Sequence, residues 1–347
     1  MQSTSLLTKN KIMEKKYSMF VGIDVSKLKL DVWLMSAPDS KQDHFIVPNT
    51  EKGIKEIIQM IKKKKTSIND CLFCFENTGI YSMPLSFSLS QLKADYWIVP
   101  AFEIKCSKGI SRGKNDKNDS KDIAFYAYTH LHKLKLSKLP EKEIMELKLL
   151  FTEREKLLKV IKIIATTSEI EDFVPNKITK EAIKINTKTV SFLKVQLKEV
   201  EIKMSKIVKE NEKINAQVKL IKSVPGIGIN TSMYLVITTK CFDSFKNWRK
   251  LACYAGIAPF EYSSGSSVRG KTKVNHLADK KLKSMMQMCV LTAVKNDPEI
   301  KAYYNRKKNE GKNSMLVMNN IRCKLVARAF AVINRGTPFV NTQKFAA

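Results

Sequence analysis

Acidic residues are scarce in this chain. Asp and Glu number 33 against 62 Lys and Arg, which leaves a formal charge of +29 at neutral pH. That imbalance points to a polyanionic partner, DNA or RNA, held by phosphate neutralisation and counterion release. Long apolar runs are missing too: nothing approaches the roughly 18 residues that a transmembrane helix needs. The opening MQSTSLLTKNKIMEKKYS lacks the apolar core of a signal peptide, and residues 1–16 read as a flexible lead-in. Neither an amphipathic basic helix nor a lipidation signal is present, which sets a membrane surface aside as the polyanion. The seven cysteines are odd in number and scattered, which excludes a disulfide framework and fits a reducing cytoplasm. Cys71 and Cys74 form one CxxC inside DCLFCFE, with no second CxxC and no His pair nearby, so they read as buried thiols rather than a zinc site. None of His44, His130, His132 and His276 has a partner at metal-ligand spacing.

What is present is a folded chain, 44% hydrophobic and 347 residues long, enough for two or three domains. Residues 17–140 alternate strands and helices. MFVGIDVSK, LKLDVWLMS and DHFIVPN read as three strands in an antiparallel meander. TEKGIKEIIQMIKKKK follows as a helix with Thr50 at its N-cap and lysines at its end. DCLFCFENTG and DYWIVPA are further strands, separated by a helix over SMPLSFSLSQLKA. A three-strand meander followed by helix-separated strands is the order of an RNase H-like domain. Residues 141–216 read as long coiled-coil helices: Val190, Leu193, Leu197, Val200, Met204, Ile207, Ile214 and Val218 keep a three-four alternation, with Asn211 as the polar seam residue. The coil either folds back within the chain or joins two chains. Residues 217–347 are expected to be mainly helical. There, SVPGIG resembles the turn of a helix-hairpin-helix element, whose backbone N–H groups meet a DNA phosphate; a plain helix–helix turn is the competing reading. The Met285, Met286 and Met288 cluster reads as core filler.

Against the shortage of acids, GKNDKNDSKDIAFYA places Asp116, Asp119 and Asp122 at intervals of three, which brings them to one side of a helix. Asp24 in GIDVSK and Glu76 in FCFENTG each end an apolar strand, where a carboxylate is costly unless it is paired or binds a cation. Asp24, Glu76, Asp116 and Asp119 together could hold two divalent ions about 4 Å apart, the arrangement for in-line displacement at phosphorus. Mg²⁺, or Mn²⁺, suits such oxygen ligands. Asp122 reads instead as a solvated neighbour of Lys121 or Lys117. Asp31 occupies a slot in its strand that alternation turns toward solvent.

FVGIDVSK, FENTGIY, KNDKNDSKDIAFYA, SVPGIG, FKNWRKLACYAGIAPFEYSSGS and DPEIKAYYNRKKNEGK occur in the order seen in one family. The chain resembles the DEDD transposases of the insertion-sequence one-hundred-and-ten family. That resemblance covers residues 17–339. It implies a RuvC-like domain, a coiled coil and a C-terminal transposase domain in a bacterial, nucleoid-associated enzyme. It also implies excision and insertion of a mobile DNA element, donor and target DNA as substrates, and a structured non-coding RNA as guide. Position by position it carries the four acids onto Asp24, Glu76, Asp116 and Asp119, and a nucleophilic serine onto Ser264, with Ser263 as the register alternative. Asp122 stands where the family has an apolar residue, and Ser-Ser-Val follows Ser264's Gly where the family has Gly-Gly-Lys. Phosphate contacts are expected from Lys114, Lys222, Gly226, Gly228, Arg249, Arg269, Lys271 and Lys273, and a homodimer that becomes a tetramer on DNA. Two other readings compete: a RuvC-like junction endonuclease that uses water, and a non-catalytic nucleic-acid-binding scaffold.

Overall fold

A computed structural model of the chain describes residues 17–108, 115–166, 173–258, 260–264, 268–273 and 278–341. The lead-in 1–16 and Lys114 lie outside the described residues. The chain divides into two units, Met1–Leu139 and Pro140–Ala347.

The first unit is built on a mixed five-stranded sheet. Its strands are β1 (Met19–Val25), β2 (Lys29–Met35), β3 (Asp43–Pro48), β4 (Cys71–Glu76) and β5 (Asp95–Val99), in the order β3-β2-β1-β4-β5. β1, β2 and β3 form the expected antiparallel meander. β4 then runs parallel to β1, and β5 parallel to β4, each after a helical crossover. The first crossover contains α1 (Glu51–Lys63), which has the expected ends. Thr50 accepts a hydrogen bond from the Gly53 amide, Glu51 sits in the first turn, and Lys62 and Lys63 sit in the last. The isoleucines 54, 57, 58 and 61 form its buried face.

Both faces of this sheet are covered. Val21, Ile23, Leu30, Val32 and Phe73 pack with α1 and with α2 (Met83–Gln91). Phe20, Leu72, Cys74 and Trp97 pack on the other face with α3 (Ala101–Ser107) and α4 (Asp116–Thr129). Alternation places Gly22 and Asp24 on the α4 face together with Phe20. Gly22 is where α4 comes closest. A Cβ there would lie 2.2 Å from the Ser120 carbonyl oxygen and 2.4 Å from the Ala124 nitrogen. Backbone atoms cannot step aside as a side chain can, so Gly22→Ala should lower stability by about 3 kcal/mol, seen as an early midpoint in urea unfolding.

In the second unit, α5 (Lys142–Thr166) and α6 (Asn176–Glu210) pack on each other within the chain, and Arg154 of α5 donates to Glu201 of α6 at 2.8 Å. Asn211 is not a seam residue. It breaks the helix and caps α7 (Glu212–Lys222), accepting from the Ile214 amide at 3.0 Å, a role that asparagine favours over a helix interior. α8 (Ile229–Thr239), α9 (Trp248–Tyr254), α10 (Lys280–Asn296), α11 (Pro298–Asn309) and α12 (Ser314–Arg335) enclose one core with Ile214, Val218, Leu235, Met286 and Leu325. Met286 is the filler expected there, whereas Met288 is 62% exposed. Between α9 and α10 lies an antiparallel hairpin of β6 (Phe260–Ser264) and β7 (Val268–Lys273).

Candidate active site

Three of the sequence-selected acids meet in the first unit. One carboxylate oxygen from each of Asp24, Asp116 and Asp119 lies within 4.8 Å of the other two. β1 supplies Asp24 and the first turn of α4 supplies the pair. Asn115 fixes that turn, its side chain accepting from the Lys117 amide at 3.1 Å. The close approach at Gly22 sets the distance between the two elements. Glu76 ends β4, the parallel neighbour of β1, one position beyond the Ile23–Phe75 pair. It is outside the trio but near enough for its charge to act on Asp24.

The electrostatics are those of anions crowded together. Burial pushes the Asp24 carboxyl up to about 6, and Asp116, Asp119, Glu76 and Asp31 push it in the same direction. The folded chain therefore keeps a proton on Asp24 that the unfolded chain has released, and the Asp24 contribution to stability falls as pH rises from about 4 to about 6. In EDTA, Asp24→Asn should raise stability above that window by about 1 kcal/mol, after allowing for solvent screening, with no gain below about pH 4. Paired urea titrations at the two pH values measure this.

Lysines flank the cluster. Lys29 Nζ lies 2.8 Å from Asp116 and 3.0 Å from Asp31. Lys108 Nζ lies 2.8 Å from Asp119 and 2.9 Å from Asp122. Two expectations are corrected here. Asp31 is 3% exposed, since the face that alternation assigned to solvent is covered by α4; it pairs with Lys29 and with His44 at 3.2 Å. Asp122 pairs with Lys108, a residue distant in sequence from the lysines beside it. Neither flanking lysine stood out in so basic a sequence. An oxygen-only donor set, in which the neighbouring carboxylates add to the burial that raises the Asp24 proton affinity, fits a divalent cation.

In the second unit, Ser263 and Ser264 are the last residues of β6, in register with Arg269 and Val268. They therefore end a strand, where a loop was expected. The side chains of Ser263, Ser264, Arg269, Lys271 and Lys273 lie outside the described residues. The approach to β6 is held by α12, where Asn319 donates to the Ile257 carbonyl at 2.7 Å. Arg322, itself buried, donates to Asn319 and to Gln287 of α10. Gly226 has φ +89°, and a Cβ there would lie 2.6 Å from the Cys289 carbonyl oxygen, so packing alone requires glycine. Gly228 caps α8 and faces open space. Lys222 and Arg249 are exposed, and Arg249 lies over the Trp248 ring.

Two family models match the chain. A DEDD model of IS110, described as Transposase, matches residues 21–169, and Transposase IS116/IS110/IS902 family matches residues 218–305. The Pilin gene-inverting protein of Moraxella bovis is 24% identical over 323 residues, covering 92% of this chain and 97% of that protein. Its namesake in Moraxella lacunata has the same identity and coverage. The Insertion element IS110 uncharacterized 43.6 kDa protein of Streptomyces coelicolor is 30% identical over 118 residues, 34% of this chain and 29% of that protein.

Proposed function

Since the chain belongs to the IS110 family of transposases and is a DNA transposase or recombinase, we propose that it excises and inserts an insertion-sequence element, using a divalent-metal site and a serine nucleophile. The observation that carries this is the meeting of Asp24, Asp116 and Asp119 within 4.8 Å. Its sheet order, with β1 central and acids on β1, β4 and α4, supports an RNase H-like, RuvC-like domain for residues 17–140. The coiled coil is assigned to 141–216 and the transposase domain to 217–347.

Asp24, Asp116 and Asp119, with Glu76, would hold Mg²⁺ or Mn²⁺, two ions in this reading. Bound divalent cations supply Lewis acidity at the scissile phosphate. Ser264 supplies the nucleophile. Its Oγ attacks phosphorus, one P–O bond to deoxyribose breaks, and the serine proton leaves with the departing sugar oxygen. A sugar hydroxyl from the partner strand then attacks the phosphoserine, reseals the DNA and returns the proton to serine. Each bond broken is replaced by one of its kind, so the energy of the phosphodiester is conserved. Lys114, Lys222, Arg249, Arg269, Lys271 and Lys273 would neutralise backbone phosphates, with the amides around Gly226 and Gly228 as neutral donors. A structured RNA would choose the donor and target sites. Trapping on a nicked substrate followed by peptide mass mapping tests the chemistry: the phosphodiester adduct should map to Ser264.

The outer face of α6 supports a homo-oligomer. Ile178, Ile185, Phe192, Val195 and Ile202 are each more than half exposed, and three of them repeat at heptad spacing. Phe192→Asp should shift the free protein toward monomer, raising the dimer dissociation constant at least about tenfold. Sedimentation velocity across a concentration series measures it. RNA sequencing of material purified without nuclease should return one short structured species.

A further inference from the structure

We propose that Lys29 and Lys108 are tethered counter-cations that compete with the divalent ion for Asp116 and Asp119, and so keep the ion affinity of the free site low. The inference rests on the metal reading above and deepens it.

The two lysines are placed alike. Each forks between one acid of the trio and one acid outside it. Lys29 bridges Asp116 at 2.8 Å and Asp31 at 3.0 Å. Lys108 bridges Asp119 at 2.8 Å and Asp122 at 2.9 Å. The outside acid acts as an anchor. Asp31 is buried on β2 directly opposite Asp24, and Asp122 lies one turn beyond Asp119 on α4. Among the described residues Asp24 has no ion pair. Of the three acids that meet, the two from the helix thus have internal cations and the one from the strand does not.

An ammonium at hydrogen-bond distance covers carboxylate lone pairs that a cation would need. Loading the site therefore exchanges two Lys–Asp contacts for ion–Asp contacts, and any ammonium that stays close repels the ion. The anchors keep the displaced lysines beside the site, where a DNA phosphate can take them. Phosphate and divalent ion then favour one another's binding, since each removes an obstacle to the other.

The test is Mn²⁺ titration of the full-length chain, freed of nucleic acid, by calorimetry. Lys29→Met and Lys108→Met should each tighten Mn²⁺ binding at least about threefold, and the double variant further. Lys→Arg at either position, which keeps the charge, should stay closer to the parent than Lys→Met does. Both positions are partly exposed, so folding should tolerate the changes; Lys→Gln repeats the test should Met lower solubility. Unchanged or weaker Mn²⁺ binding in the Met variants overturns the inference, weaker binding marking the lysines as scaffolding for their acids. Asp24→Asn separates this failure from that of the metal reading. If Asp24→Asn abolishes binding while the lysine variants match the parent, the inference alone fails. If Asp24→Asn binds Mn²⁺ as the parent does, the metal reading fails and takes the inference with it.

Discussion

Ser264→Ala is expected to abolish the covalent protein–DNA adduct and to reduce recombination at least about 10³-fold, with DNA binding intact. The size of the effect follows from the chemistry. A nucleophile that forms a bond to phosphorus has no partial substitute in alanine, whereas a residue that only orients the substrate does. Ser263 is the necessary control. The two serines pair in register with different residues, Arg269 and Val268, so each is tested by itself. Loss of adduct in Ser264→Ala with retention in Ser263→Ala identifies the nucleophile, and the reverse result moves it one position. Strand cleavage that persists in both variants, with hydrolysed ends and no adduct, would replace the recombinase mechanism with that of a water-using junction nuclease. Denaturing gels of labelled DNA distinguish the three outcomes.

Asp116→Asn should lower strand cleavage at least about 10³-fold while leaving the affinity for DNA nearly unchanged. The substitution keeps the shape of the side chain and removes one of three converging charges. Asp24→Asn and Asp119→Asn should match it, since their oxygens share the same 4.8 Å cluster. Asp24→Asn should also be the more stable protein in EDTA at neutral pH, as derived above. A variant that gains stability as it loses chemistry shows that the crowding of charge is held for function. Cleavage within about tenfold of the parent in all three would leave a basic nucleic-acid-binding scaffold as the better account. Quantitative cleavage assays and electrophoretic mobility shifts, run side by side, separate chemistry from binding.

Much of the site was legible because its signals are local. The interval of three in Asp116 and Asp119 is a helix-face statement, Thr50 is a cap, and acids ending apolar strands stand out against their neighbours. Asp31 was misread because alternation predicts which residues share a face, and it does not say whether a second layer covers that face. α4 covers it, and an acid assigned to water became a buried anchor. Asn211 fits a heptad by counting, but its side chain competes for backbone N–H groups, and capping won. Lys29 and Lys108 could not be singled out among 62 basic residues; their partners are fixed by sheet register and by the packing of α3 and α4.

Gly22 has one implication for genetics. It carries no functional group, yet α4 rests against it through the Ser120 and Ala124 backbone, and Asp116 and Asp119 ride on that same rigid rod. A screen for inactive alleles should therefore recover position 22 beside the carboxylates. Suppressors of such an allele should cluster among small-residue replacements that give the helix another seat, with none among the acids.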